Sequence, residues 1–203
     1  MSHEVFTMIQ GMDLKSVETQ LALQCAPLIT GLKISNLLNV AKESEKLVCA
    51  FLKKSKISYY LLMRTKQKIF FLLFNRIELE KYMAQEEMHE WLRKEGYTEL
   101  GFGKILRTFR NRYQKHMEEG KEFPHEMGII LGYPMEDVKG FVENQGKNFL
   151  YSGYWKVYEN KQEKILLFQK FEQAKETLIQ MLGNGIDMLQ IIEYYREVQF
   201  AAG

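Results

Sequence analysis

The sequence predicts an α+β protein, a small antiparallel sheet wrapped by six to eight helices. Three observations predict it. Residues 57–75 carry two apolar runs, Ile57-Ser-Tyr-Tyr-Leu-Leu-Met and Ile69-Phe-Phe-Leu-Leu-Phe, on either side of the polar turn Arg64-Thr-Lys-Gln-Lys, which is the pattern of a β-hairpin. Residues 149–158 alternate, with Tyr151, Gly153, Trp155 and Val157 on one side and Leu150, Ser152, Tyr154 and Lys156 on the other, and predict a third strand. Most of the remaining chain places apolar residues at three- and four-residue intervals, the period of helices with one buried face.

Taken in order, Leu14, Val17, Leu21 and Ala22 predict a helix over 13–25 with Asp13 as its N-cap and Pro27 interrupting it. Leu37, Leu38, Ala41, Val48 and Phe51 predict a second helix over 35–53, capped by Ser35. The hairpin follows, and the near-continuous apolar character of both arms predicts strands covered on both faces. Helices are expected over 79–95 and 104–117, then two short ones over 124–131 and 134–142. Pro124 and Pro134 suit a first helical position, and Gly132 suits the left-handed residue that ends the first short helix. A long helix over 162–182 ends at Gly183-Asn184-Gly185, and a last one runs to about residue 198.

Composition narrows the classes further. The chain has 203 residues, 46% hydrophobic and 27% charged, which excludes disordered, collagenous and low-complexity classes. No apolar run approaches the roughly 20 residues needed to span a bilayer, and the N-terminus carries no export signal. Cys25 and Cys49 are the only cysteines, so free thiols, a cytoplasmic location and no membrane are the expectation. Only three prolines, no flexible linker and no internal repeat predict one domain over 1–203.

The net charge of +2 conceals strong local blocks. Lys46, Lys53, Lys54, Lys56, Arg64, Lys66, Lys68 and Arg76 stand in 46–77 without an acid, and Lys104, Arg107, Arg110, Arg112 and Lys115 in 104–116 likewise. On one surface these segments would hold nucleic acid or an acidic protein. The opposing expectation is that they pair with the acidic stretch 78–99, where seven glutamates outnumber three basic residues.

Residues 124–142 have the spacing of a helix-turn-helix, with Gly128 four positions before Gly132 and with Val138 and Phe141 at core positions. The charge is wrong for reading bases, because a second helix opening Pro134-Met-Glu-Asp repels phosphate; a structural helix pair is the better reading.

Two long stretches carry a family resemblance. Leu23-Ala-Leu-Gln-Cys-Ala-Pro-Leu-Ile-Thr-Gly-Leu-Lys-Ile-Ser-Asn-Leu includes Cys25, Pro27, Gly31, Lys33 and Asn36. Phe123-Pro-His-Glu-Met-Gly-Ile-Ile-Leu-Gly-Tyr-Pro-Met-Glu-Asp-Val-Lys-Gly-Phe includes Pro124, His125, Glu126, Gly132, Tyr133, Pro134, Asp137 and Gly140. With Gly153-Tyr-Trp-Lys-Val-Tyr, which holds Gly153, Trp155, Lys156 and Tyr158, they resemble the bacterial "domain of unknown function 3793" family. The resemblance covers most of the chain and implies no activity. Many members of that family carry further cysteines just before and within the last segment, where this chain has Phe149 and Ser152. A metal or redox site built on them would be mostly missing here.

Candidates for direct chemistry are few. His125-Glu126 at a helix start pairs an imidazole, which titrates near neutral pH, with a carboxylate that the helix dipole favours; a cap or a packing contact is the plain alternative. His3, His89 and His116 show no metal-ligand spacing, and no metal site is expected. Cys25, near a helix end, reads as a buried structural thiol, as does Cys49. Trp155 with Tyr151, Tyr154 and Tyr158 suits stacking on a flat ligand such as a flavin, haem or base, although such residues are more often sheet core.

The sequence names no cofactor and no substrate. Its best reading is a soluble cytoplasmic, non-enzymatic binding or accessory protein that recognises a partner through its basic surface or a pocket edged by the two short helices. One alternative is polyanion binding through 46–77 and 104–116, which requires Arg107, Arg110, Arg112 and Lys115 exposed and coplanar with 53–68. The other is a small enzyme or cofactor carrier, which requires His125 and Glu126 facing a concave pocket with aromatic walls.

Overall fold

In the computed structural model, which describes residues 3–202, the chain divides into two compact units. One comprises the residues up to Phe74 together with those from Gln169 onward, and the other is Asn75–Phe168.

The first unit opens with helices α1 (His3–Gln10) and α2 (Val17–Ile29). Ser16, not Asp13, caps α2, its hydroxyl accepting the Thr19 amide at 3.1 Å; Asp13 instead makes a local turn by accepting the Lys15 amide. Pro27 does not interrupt α2 but lies in its last turn, where the helix ends two residues later and one lost backbone bond is tolerated.

The sheet follows, with strands β1 (Ser35–Ala41), β2 (Ser58–Arg64) and β3 (Lys68–Phe74) in the antiparallel order β1-β3-β2. Ser35 and Ser58 both face Phe74, and a bulge interrupts the β2 register between Leu61 and Met63. The 57–75 hairpin is therefore present as expected. The helix expected over 35–53 is not: its first part is β1, and only α3 (Glu45–Ser55) is helical, after a 3-10 turn at Lys42–Ser44. Asn36, Asn39 and Val40 are weak helix formers. β1 also gains a partner along its outer edge, because the Gln24 side chain accepts the Asn39 amide and donates to the Asn39 carbonyl, both at 3.0 Å. Tertiary pairing overrides the helical spacing of the leucines.

Leu21, Cys25, Leu38, Val48, Leu52, Ile69, Phe71, Leu178, Ile191 and their neighbours form this unit's core, with the later turns of α9 (Lys161–Gly183) and α10 (Met188–Ala202) closing it. Leu72 and Phe74, on the other face of β3, are buried as well. Gly31 takes a left-handed φ of 79°, and any Cβ there would press on Gln199 of α10.

The second unit holds α4 (Arg76–Met83), α5 (Glu86–Lys94), α6 (Phe102–Glu119), α7 (Met127–Ile130), α8 (Met135–Glu143) and the start of α9. The single helix expected over 79–95 is thus two helices, broken at Ala84 and Gln85. The strand expected over 149–158 is a minimal hairpin, β4 (Tyr151–Ser152) with β5 (Lys156–Val157), which forms a sheet of its own; the third strand of the larger sheet is β1. Gly153 and the tight turn leave room for only two paired residues on each arm.

Candidate functional site

The second unit contains a partly open cavity of about 290 Å³, built from the segment 123–141 and the β4/β5 hairpin. α7 is a single turn. Gly132, with φ 68°, ends it in the left-handed conformation the sequence suggested, and the Tyr133 amide returns to the Gly128 carbonyl at 2.9 Å. Gly128 is a contact point, since a Cβ there would lie 2.8 Å from Val138 of α8. Pro134 caps α8 instead of occupying its first turn, and Pro124 lies before α7.

Asp137, in the first turn of α8, binds the hairpin to this pair. It is 2% exposed; one oxygen accepts the Trp155 indole N–H at 2.7 Å, and the other accepts the amides of Tyr158 at 2.7 Å and Glu159 at 3.3 Å. One turn further on, a Cβ at Gly140 would overlap the Tyr158 side chain, and one at Gly153 would overlap Phe168. The Trp155 ring stacks on Tyr133 at 4.7 Å and meets Phe168 edge-on at 4.5 Å. The indole is therefore fixed before any ligand arrives.

The cavity wall is mostly aromatic and aliphatic: Phe123, Met127, Leu131, Phe141 and Tyr154 join Tyr133, Val138 and Trp155. Besides the two tyrosines, three lining residues are ionisable. Asp137 accepts the three donors named above. His125 sits between Phe123 and Phe141, each ring at 5.7 Å, and its buried Nδ1 has no hydrogen-bond partner among the described residues. Lys156 donates to the Gly146 carbonyl at 2.6 Å and places its ammonium over the rings of Phe149 at 5.0 Å and Phe141 at 5.7 Å. No ion pair among the described residues involves Lys156.

Glu126 is held elsewhere. At 1% exposure it accepts the Tyr97 hydroxyl at 2.8 Å and Arg112 at 3.3 Å, while Arg112 also donates to the Glu95 carbonyl at 2.7 Å and lies over the Tyr97 ring. Burial first, then the Glu126 charge, pushes the Tyr97 phenol far above its ordinary range. His125 and Glu126, adjacent in sequence, thus serve different environments.

The cationic segments are partly neutralised within the chain. On α6, Arg112 is committed to Glu126 and Lys104 pairs with Glu99 at 2.9 Å, whereas Arg107 and Lys115 are exposed and Arg110 is half-buried. In 46–77, Arg64 pairs with Glu45 at 2.6 Å and Arg76 with Glu80 at 3.6 Å. Lys46, Lys53, Lys54, Lys56, Lys66 and Lys68 are exposed and form no ion pair among the described residues.

The motif residues of the first unit form the elbow between α2 and β1. Asn36 donates to the Gln24 carbonyl at 2.6 Å and accepts from Lys33 at 3.2 Å; the Cys25 thiol lies 3.7 Å from the Leu37 carbonyl. Burial pushes the Cys25 thiol up to about 12 and the Lys33 amine down to about 8. His89 is half-buried, and His116 approaches the Lys121 carbonyl at 2.6 Å. His3 opens α1, and its side chain lies outside the described residues. Among the described residues, no cluster of three His, Cys, Asp or Glu side chains could hold a metal ion, and no helix is long and apolar enough to cross a membrane.

Sequence reasoning found the aromatic residues and the two short helices but not how Lys156 is used. Nothing in its spacing distinguishes an ammonium at a cavity wall from one in solvent. The Asp137–Trp155 bond joins residues 18 apart in sequence with no shared periodicity.

No curated protein and no solved structure matches the chain. A family profile does, over residues 21–192, a span that includes the α2/β1 elbow and the whole cavity. The chain belongs to the family described as "Protein of unknown function (DUF3793)".

Proposed function

We propose that this protein is a non-enzymatic binding or accessory module that takes a small planar molecule into the cavity between α7, α8 and the β4/β5 hairpin. The observation that carries the reading is the fixed aromatic wall, with Trp155 held by Asp137 at 2.7 Å and stacked on Tyr133. A wall ordered in advance costs a ligand little in lost side-chain freedom. About 290 Å³ lies at the small end of ligand pockets, which run from about 300 to 1,000 Å³, and suits a molecule of one or two rings better than a haem or a dinucleotide.

Binding is favoured over catalysis by the state of the acids. Glu126 is committed to Tyr97 and Arg112 and Asp137 to the hairpin, and among the described residues His125 forms no ion pair with a carboxylate. The helix-turn-helix reading gains no support, because α7 is one turn long and α8 buries Asp137 and Val138. The family match runs through both units, which supports treating 1–203 as one functional domain, and its two unpaired thiols suit a cytoplasmic setting.

The test is a thermal-shift screen of small planar aromatic compounds against the protein and against Met127→Trp, which fills the cavity. Compounds that raise the Tm of the protein and not of the variant support the reading. If no compound acts, or if all act on both proteins alike, it is overturned.

A second reading is polyanion binding by the first unit, supported by the six exposed lysines at 46, 53, 54, 56, 66 and 68. Its test is nucleic-acid affinity against salt. Absence of binding at low salt overturns it.

A further inference from the structure

Resting on the binding reading above, we infer that the cavity selects planar aromatic anions, and that Lys156 is the residue that selects them. The wall around Lys156 is apolar: Phe141, Phe149, Tyr154 and Trp155 stand near it, and among the described residues its ammonium has only the Gly146 carbonyl as a hydrogen-bonding partner. An ammonium makes up to three hydrogen bonds. Two N–H directions therefore remain for a ligand or water. The carboxylate that the lining holds, Asp137, accepts three donors and forms no ion pair among the described residues. The lining thus carries an ammonium that no ion pair among the described residues neutralises, against aromatic surroundings where a charge interacts more strongly than in water.

The position of Lys156 is also fixed. Gly146, with φ 69°, turns its carbonyl onto Nζ, and a Cβ at Gly146 would lie 3.1 Å from the Phe141 ring and 3.5 Å from Nζ. The turn thus holds the ammonium against the edge of an aromatic slot. A flat acid entering that slot places its ring among Phe123, Phe141 and Tyr154 and its carboxylate on Lys156. A flat amine meets repulsion, and a neutral isostere gains only the ring contacts.

The experiment is calorimetric titration with naphthoate and with its neutral isostere naphthamide, using the whole protein. Naphthoate binds about tenfold or more tightly than naphthamide, a difference of about 1.4 kcal/mol. Lys156→Met brings the two affinities together by weakening naphthoate alone, and Lys156→Arg, which keeps the charge, retains the preference. Equal binding of both probes to the unmodified protein overturns anion selection and leaves the binding reading standing. Binding of neither overturns both. A preference that persists in Lys156→Met removes Lys156 from the role, and unchanged naphthamide binding shows that this variant has kept its cavity.

Discussion

The indole N–H of Trp155 donates to Asp137 at 2.7 Å while the second oxygen of the same carboxylate takes the Tyr158 amide. One buried side chain thereby joins the first turn of α8 to both ends of β5. Asp137→Ala leaves the buried Trp155 N–H and the part-buried amides of Tyr158 and Glu159 unmet, and we expect a loss of about 2 kcal/mol in urea unfolding together with loss of the near-ultraviolet signal of Trp155. Asp137→Asn, which retains acceptor capacity on one oxygen, loses less.

Glu126 gives a related test with a different readout. Glu126→Ala leaves the buried Tyr97 hydroxyl without its acceptor while Arg112 keeps the Glu95 carbonyl, and a loss of about 1 to 3 kcal/mol is expected. Ligand affinity, measured under conditions where the variant is folded, should be nearly unchanged, because Glu126 does not line the cavity. A variant of full stability that fails to bind would place Glu126 in the site after all.

His125 presents the reverse pattern. Its Nδ1 is buried without a partner, a condition that costs about 1 to 3 kcal/mol. His125→Phe is therefore expected to leave thermal stability equal or higher, while altering ligand affinity through the cavity wall it shares with Phe123 and Phe141. A large drop in Tm would contradict this.

The α2/β1 elbow carries a pH dependence whose sign is fixed. Lys33 titrates at about 8 in the folded protein against 10.5 when unfolded, so between those values the unfolded chain binds more protons and stability rises with pH. Cys25 titrates at about 12 folded against 9.0 unfolded, so above 9.0 it lowers stability as pH rises. The urea midpoint should rise from about pH 8 to 9 and then level off. Lys33→Met abolishes the rise, and Cys25→Ala lets it continue. The same burial keeps Cys25 unalkylated in the folded state while half-buried Cys49 reacts, which mass spectrometry of iodoacetamide-treated protein reads directly.

The limits of reading this fold from sequence are local ones. The 57–75 hairpin was legible because its apolar arms and polar turn have no helical reading. Residues 35–41 were misleading because Leu37, Leu38 and Ala41 also fit a helical period, and only the pairing with β3 and the Gln24 side chain makes them a strand. The hairpin at 151–157 shows true alternation in a segment too tightly turned to extend the larger sheet. At the site, Gly132 and the aromatic cluster were legible from local rules. The division of labour between His125 and Glu126 was not, since it depends on Tyr97 and Arg112, which come from distant parts of the chain.

The most direct measurement follows the labelled methyl group of Met127, a lining residue, by NMR as naphthoate is added. A saturable shift of the Met127 resonance, assigned through Met127→Leu, is expected, with an apparent affinity reduced about tenfold by Lys156→Met. A Met127 signal that stays in place while naphthoate is brought to millimolar concentration would contradict it.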